Sequence, residues 1–235
     1  MFFLPVFNFN YILYMLPAIL LSLVIQLYVN ASYNRWGRVR NQSGLTGAQV
    51  AQRLSERIGL YNLTLKGTPG RLTDHYDPRS NVLSLSRDIA QGPTIAAMAI
   101  TAHELGHAQQ DQEEYLPMRI RSAMVPIVNI GTSVGWIFIL VGLLLEFSGL
   151  AWLGVFAFSA GAIFSIATLP VELNASKRAR KMLKDSGLIT SKKEEKGVNQ
   201  VLNAAALTYV AAIATSLLQL LYFTSLVSGS GRRRG

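Results

Sequence analysis

The chain has 235 residues, a formal net charge of +9 and no cysteine, and half of its residues are apolar. The missing cysteines exclude disulfides and thiolate ligands, so any metal here must rest on His, Asp or Glu. The basic excess does not point to nucleic acid, because Lys and Arg crowd the polar segments that flank long apolar runs, where such residues set membrane topology.

Residues 9–29 hold no charged side chain and are long enough to cross about 30 Å of hydrocarbon. No Lys or Arg precedes the run and no small-residue cleavage site follows it, so residues 1–29 read as an uncleaved anchor. Residues 30–123 suit a small α+β domain. Thr46 and Gln49 have capping-box spacing, and Val50, Leu54 and Ile58 then repeat at helical intervals, which predicts a short amphipathic helix ending near Gly59. Alternation and turn signals over residues 61–87 predict two or three short strands. A long helix is expected from Pro93, as its first helical residue, to about Gln112.

Two further spans, 124–145 and 147–169, are separated by Glu146 alone, which predicts a tight transmembrane hairpin over 124–169. Residues 170–201 form a charged, helical segment. A fourth, moderately apolar run lies within 202–228, and residues 229–235 read as a flexible basic tail. The expected fold is a mainly α-helical membrane protein with about four transmembrane helices and a small cytoplasmic α+β domain. Segment 30–123 carries 11 Lys and Arg and segment 170–201 carries 8, whereas the N-terminus and the turn at Glu146 carry none. The positive-inside rule therefore places both polar segments in the cytoplasm. Four crossings would leave Arg232, Arg233 and Arg234 on the opposite side, so either the fourth run lies in the membrane without crossing or the tail breaks the rule.

The chemistry concentrates in TAHELGHAQQ, residues 101–110. His103 and His107 are four apart, so on a helix both rings project from one face and suit one Zn²⁺. Glu104 is one step round that helix, poorly placed to ligate but well placed to take a proton from a water that the metal acidifies. The preceding IAAMAITA is apolar all round and too short to span, so the helix is buried inside the polar domain. Gly106 leaves room for a neighbouring helix or for substrate. A catalytic zinc needs a third protein ligand and an open position. The remaining candidates on the cytoplasmic side are His75 and several carboxylates, among which Glu172 stands out. Glu172 follows the third span, and a helix there puts Glu172, Ala175, Ser176 and Ala179 on one face, with small residues that permit close packing. An acid at the mouth of an apolar span also needs a reason to be there.

TAHELGHAQQ, together with LTDHYDPRSNVLSLS, SAMVPIVN, TLPVELNASKRA and VLNAAALTYVAA, resembles the YugP-like family of bacterial membrane zinc metallopeptidases. More distantly, HELGH with ELNAS resembles the HtpX-type membrane peptidases and the glutamate zincins. The resemblance covers nearly the whole chain. It implies a zincin-like domain in a bacterial plasma membrane protein, one Zn²⁺ per chain held by His103, His107 and Glu172, and Glu104 as catalytic base. One position departs: the distant relatives carry an aspartate four residues after the ligand glutamate, orienting a ligand histidine, and here that position is Ser176.

The sequence thus points to a zinc endopeptidase acting at the cytoplasmic membrane surface on peptide or protein substrates, in the manner of membrane-protein quality control, with the lipid bilayer as its other partner. Residues 81–86 are the strand expected to offer an edge to an extended substrate, and His75 or Tyr76 would then face the oxyanion. Proteolysis inside the bilayer is disfavoured, because AQQDQEEY follows the histidines directly. The non-enzymatic alternative is a membrane scaffold or assembly factor that retains an inert zinc fold.

Overall fold

The structure is a computed structural model that describes residues 9–232. Its elements run α1 (Phe9–Trp36), α2 (Gly47–Ile58), β1 (Thr64–Thr68), β2 (His75–Asp77), β3 (Val82–Ser86), α3 (Arg87–Gln91), α4 (Ile95–Gln112), α5 (Leu116–Leu144), α6 (Ser148–Asp185) and α7 (Lys192–Arg232). The expected architecture is present: a mainly helical membrane protein with four helices long and apolar enough to cross a bilayer, and one small sheet. The chain divides into two compact units, one of residues up to 25, 120–169 and from 208 onward, the other of residues 26–119 and 170–207.

The first unit is the apolar one. Its helices present large hydrophobic side chains outward, Ile130 at 66% and Phe156 at 77% exposure, which is the surface that lipid covers. Lipid offers no hydrophobic drive for helices to associate, so close backbone packing at small residues must hold them. The α5–α6 hairpin shows this. A Cβ on Gly142 would lie 2.4 Å from Ala151 N, one on Gly135 2.7 Å from Phe158 N, and one on Gly154 2.6 Å from Ile139 N. Beside this seam Ile139, Ala151, Val155, Tyr222, Phe223 and Val227 are buried together, and Tyr222 meets Tyr11 and Tyr14 edge-on at 5.0 and 5.6 Å.

The second unit holds the sheet. Its order is β1-β3-β2, with β3 parallel to β1 and antiparallel to β2. Residues Val82 to Ser86 are buried throughout. This overturns the expectation that residues 81–86 offer an edge: β3 is central, both its ladders are filled, and the edges belong to β1 and β2. Helix α2 forms as its capping box predicts, with Gln49 N donating to Thr46 Oγ1 at 3.3 Å and Thr46 N to Gln49 Oε1 at 2.9 Å, and it stops at Gly59 in the left-handed region, φ 76°. Helix α4 starts two residues later than expected. Its N-cap is Thr94, whose hydroxyl accepts from Ala97 N at 3.1 Å, so Pro93 precedes the helix instead of opening it.

The core of this unit draws on both of its chain segments. Leu54, Leu83, Leu85, Met98 and Leu105 pack with Leu183, Leu188, Val198 and Leu202. Glu194, buried in the first turn of α7, accepts from Gln42 N at 2.8 Å and from Thr190 N at 2.9 Å, tying the loop after α1 to the loop before α7. Helix α6 is assigned without a break through Pro170, from the third apolar run into the charged segment that carries Glu172. Helix α7 likewise continues through residues 229–232, where the sequence suggests a flexible tail; the rest of that tail, residues 233–235, lies outside the described part.

Gly154→Leu drives a side chain into the α5 backbone and is expected to destabilise the hairpin by about 1–3 kcal/mol. Thermal unfolding of the detergent-purified protein reads this directly, and a melting point equal to wild type would contradict the packing.

Candidate metal centre

Two helices build the site. Helix α4 carries His103, Glu104 and His107; α6 carries Glu172 and Ser176. What lets them approach is Gly106, where a Cβ would lie 2.5 Å from Ala175 O. Ala175 and Ala179 are fully buried at the same seam. Of the two uses open to Gly106 in the sequence, the structure shows the neighbouring helix.

This approach sets Glu172 Oε2 3.3 Å from His103 Nε2 and 3.4 Å from His107 Nε2. Two ligands about 2.0–2.1 Å from one tetrahedral ion are separated by about 3.3–3.4 Å. The three donor atoms, all within 4.8 Å of one another, are the one such group among the described residues. His75 is not in it: its ring is exposed, and its Nδ1 lies 2.8 Å from Thr73 O.

The far sides of both rings are committed. His103 Nδ1 faces Ser176 Oγ at 3.2 Å, and His107 Nδ1 faces Gln110 Oε1 at 3.0 Å. Gln110 is completely buried. Its Nε2 donates to Val171 O at 2.8 Å and to Asn174 Oδ1 at 2.9 Å, so Oε1 is left to accept, and the proton of His107 must sit on Nδ1. The Nε2 atoms of both rings face the Glu172 carboxylate. Glu172 is only 5% exposed, and its Oε2 has no hydrogen-bond donor. A buried carboxylate oxygen without a hydrogen-bond donor, facing two imidazoles, is costly unless a cation joins them. Two imidazoles and a carboxylate, with no thiolate, are a ligand set that Zn²⁺ accepts, so the residues present fit this ion.

Glu104 lies beside the group. Its Oε2 accepts from the backbone N–H of Tyr76 at 3.0 Å. Burial pushes its carboxyl above the ordinary range, opposed by the neighbouring His103 and His107. Tyr76 is fixed at its other end: its hydroxyl donates to Asp111 Oδ2 at 2.8 Å and lies 3.1 Å from Asn81 Oδ1. Burial and the Asp111 carboxylate raise that phenol, which therefore stays protonated. The hydroxyl serves this contact and is not turned to an oxyanion, as the sequence allowed. Farther along, Arg178 of α6 reaches Glu113 at the end of α4 with Nη1 2.7 Å from Oε2.

Sequence reading passed over Gln110, although the glutamine sits three residues after His107, one helical step along the same face.

Comparison with known proteins adds a family to this geometry. Residues 11–228 match the family described as "Putative neutral zinc metallopeptidase". The chain is 42% identical over 208 residues to the "Putative membrane protease YugP" of Bacillus subtilis (strain 168), covering 88% of this chain and 92% of that protein. No solved structure matches.

Gln110→Leu removes the acceptor from His107 and both ties to α6. Loss of such a supporting contact is expected to lower zinc affinity about 10–100-fold, measured by competition with a chromogenic chelator. An unchanged affinity would mean that Gln110 does not position the ring.

Proposed function

The chain belongs to the neutral zinc metallopeptidase family, and from that premise we propose that His103, His107 and Glu172 hold a catalytic Zn²⁺, with Glu104 as base, in a membrane-bound endopeptidase. The observation that carries the reading is the buried Glu172 Oε2, without a hydrogen-bond donor, 3.3 and 3.4 Å from the Nε2 atoms of His103 and His107. A Zn²⁺ bound there supplies Lewis acidity for peptide hydrolysis.

The chain's own residues supply the rest. Glu104 takes a proton from the attacking water and returns it to the departing amine nitrogen, a cycle favoured by a carboxyl whose proton affinity burial has raised. Its reach is set by the Tyr76 amide. That amide points away from β3 and is taken up by Glu104, and β2 is the edge of the sheet beside the base. Ser176 and Gln110 hold the two rings at their Nδ1 atoms. His75 takes no part in holding metal. Its ring is exposed, and its candidate role is donation to the developing oxyanion.

Glu172 lies three residues past the apolar run that ends at residue 169, on the same helix, about 4.5 Å of helical rise. The reading puts the site at the membrane surface, and the Lys and Arg count of segments 30–123 and 170–201 supports a cytoplasmic surface. Loops of membrane proteins, such as those removed in quality control, are the matching substrate class.

Glu104→Gln is expected to retain about one Zn²⁺ per chain while losing peptidase activity on an unstructured membrane-tethered substrate. Glu172→Ala and Glu172→Gln are both expected to lose most of the metal and all of the activity, and His75→Ala to keep the metal. If His75→Ala strips the zinc and Glu172→Ala leaves zinc and activity intact, the ligand set is wrong. A Glu104→Gln protein as active as wild type would remove the base, and a wild-type protein that binds zinc without cleaving anything would favour the inert scaffold.

Orientation has its own check. Cysteines placed at Asn62 and Ser191 are expected to be shielded from an impermeant thiol reagent in intact cells and labelled after lysis. Labelling of both in intact cells would put the site outside the cytoplasm, and labelling of only one would mean that an odd number of spans separates them, so that Glu172 could not reach the zinc.

A further inference from the structure

The second unit contains a separate cavity of about 530 Å³, within the size range of small-ligand sites, lined by Tyr33, Asn34, Arg38, Arg71, Arg87 and Asp88 among others. None of these residues belongs to the metal centre. We propose that this cavity binds the phosphate of an anionic phospholipid headgroup.

The charge is the first observation. Three arginines from distant parts of the chain converge: Arg38 just after α1, Arg71 in the connection between β1 and β2, and Arg87 at the start of α3. None is in an ion pair among the described residues, and the one acid in the lining is Asp88. A concavity with three cations and one anion concentrates positive potential, and a bound anion relieves it.

The second observation is that one of these cations is held in place. The Arg71 guanidinium stacks over the Tyr33 ring at 4.3 Å and donates to Asn34 Oδ1. Stacking and that bond fix the plane of the fork and leave its other N–H groups to donate. A planar fork presented this way suits the paired oxygens of a phosphate.

Position selects the source of the phosphate. Tyr33 and Asn34 lie on α1, whose apolar run ends at residue 29. Four residues of helix rise about 6 Å, and each headgroup layer is roughly 5–8 Å deep outside the hydrocarbon. The cavity begins at the depth where lipid phosphates sit. Basic residues next to a span are commonly a topology signal alone, which accounts for Arg38. It does not account for Arg71 and Arg87, far from any span in sequence and folded back to the end of α1.

The test uses full-length protein in a neutral detergent, titrated with phosphatidylglycerol, phosphatidylcholine or the soluble glycerol 3-phosphate, with retained ligand counted by native mass spectrometry. One phosphatidylglycerol is expected to be retained at roughly tenfold lower concentration than phosphatidylcholine, with glycerol 3-phosphate far weaker. The double variant Arg71→Ala/Arg87→Ala is expected to lose that preference, and Lys184→Ala, outside the cavity, to keep it. Equal retention of the two lipids by wild type overturns the site, whether or not the double variant folds. A preference that survives in a folded double variant also overturns it, and glycerol 3-phosphate binding as tightly as the lipid overturns the lipid assignment. Zinc content is independent of every arm.

Discussion

Everything at the candidate metal centre depends on one close approach, the backbone of α6 lying against Gly106 of α4. A single Cβ at that position would meet Ala175 O at 2.5 Å, and the helices would have to part. With them together, Glu172 Oε2 stands 3.3–3.4 Å from both Nε2 atoms, the spacing of ligands around one small ion. The packing constraint and the chemistry are the same contact seen from two sides.

The same approach builds the supporting contacts. Gln110 spans the helices, donating to Val171 O and Asn174 Oδ1 and accepting at Oε1 from His107. Ser176, one turn after Glu172, reaches His103. Each is neutral, so neither ring receives the added basicity that a carboxylate partner gives; they fix tautomer and direction. Because Glu172 sits within helix α6, the third candidate donor is carried by a helix, which is a more precise support than a loop.

The legible parts of the fold were those that local spacing encodes. The pair His103 and His107, the α2 capping box and the four apolar helices all rest on neighbours within a turn or on run length. Glu172 was visible as a charge at the mouth of a span with small residues on its face. What was not visible depends on partners distant in the chain. Gln110 is an ordinary helical glutamine until Val171 and Asn174 arrive. The alternation of residues 81–86 predicts a strand but not its place in the sheet, and the parallel pairing with β1 put it in the centre. The core shared by Leu85 and Leu183 joins segments that a span hairpin separates in sequence. Pro93 fits the start of a helix, but Thr94 caps it better, because a threonine hydroxyl satisfies an N–H that proline cannot.

The central claim is the identity of the three atoms that meet between α4 and α6. X-ray absorption at the zinc edge of the purified, zinc-loaded full-length protein reads that shell directly. The account predicts two imidazole nitrogens with carboxylate and solvent oxygen, all at about 2.0–2.2 Å, and a shell that loses an oxygen ligand in Glu172→Ala. A third imidazole in the wild-type shell, unchanged by Glu172→Ala, would contradict it.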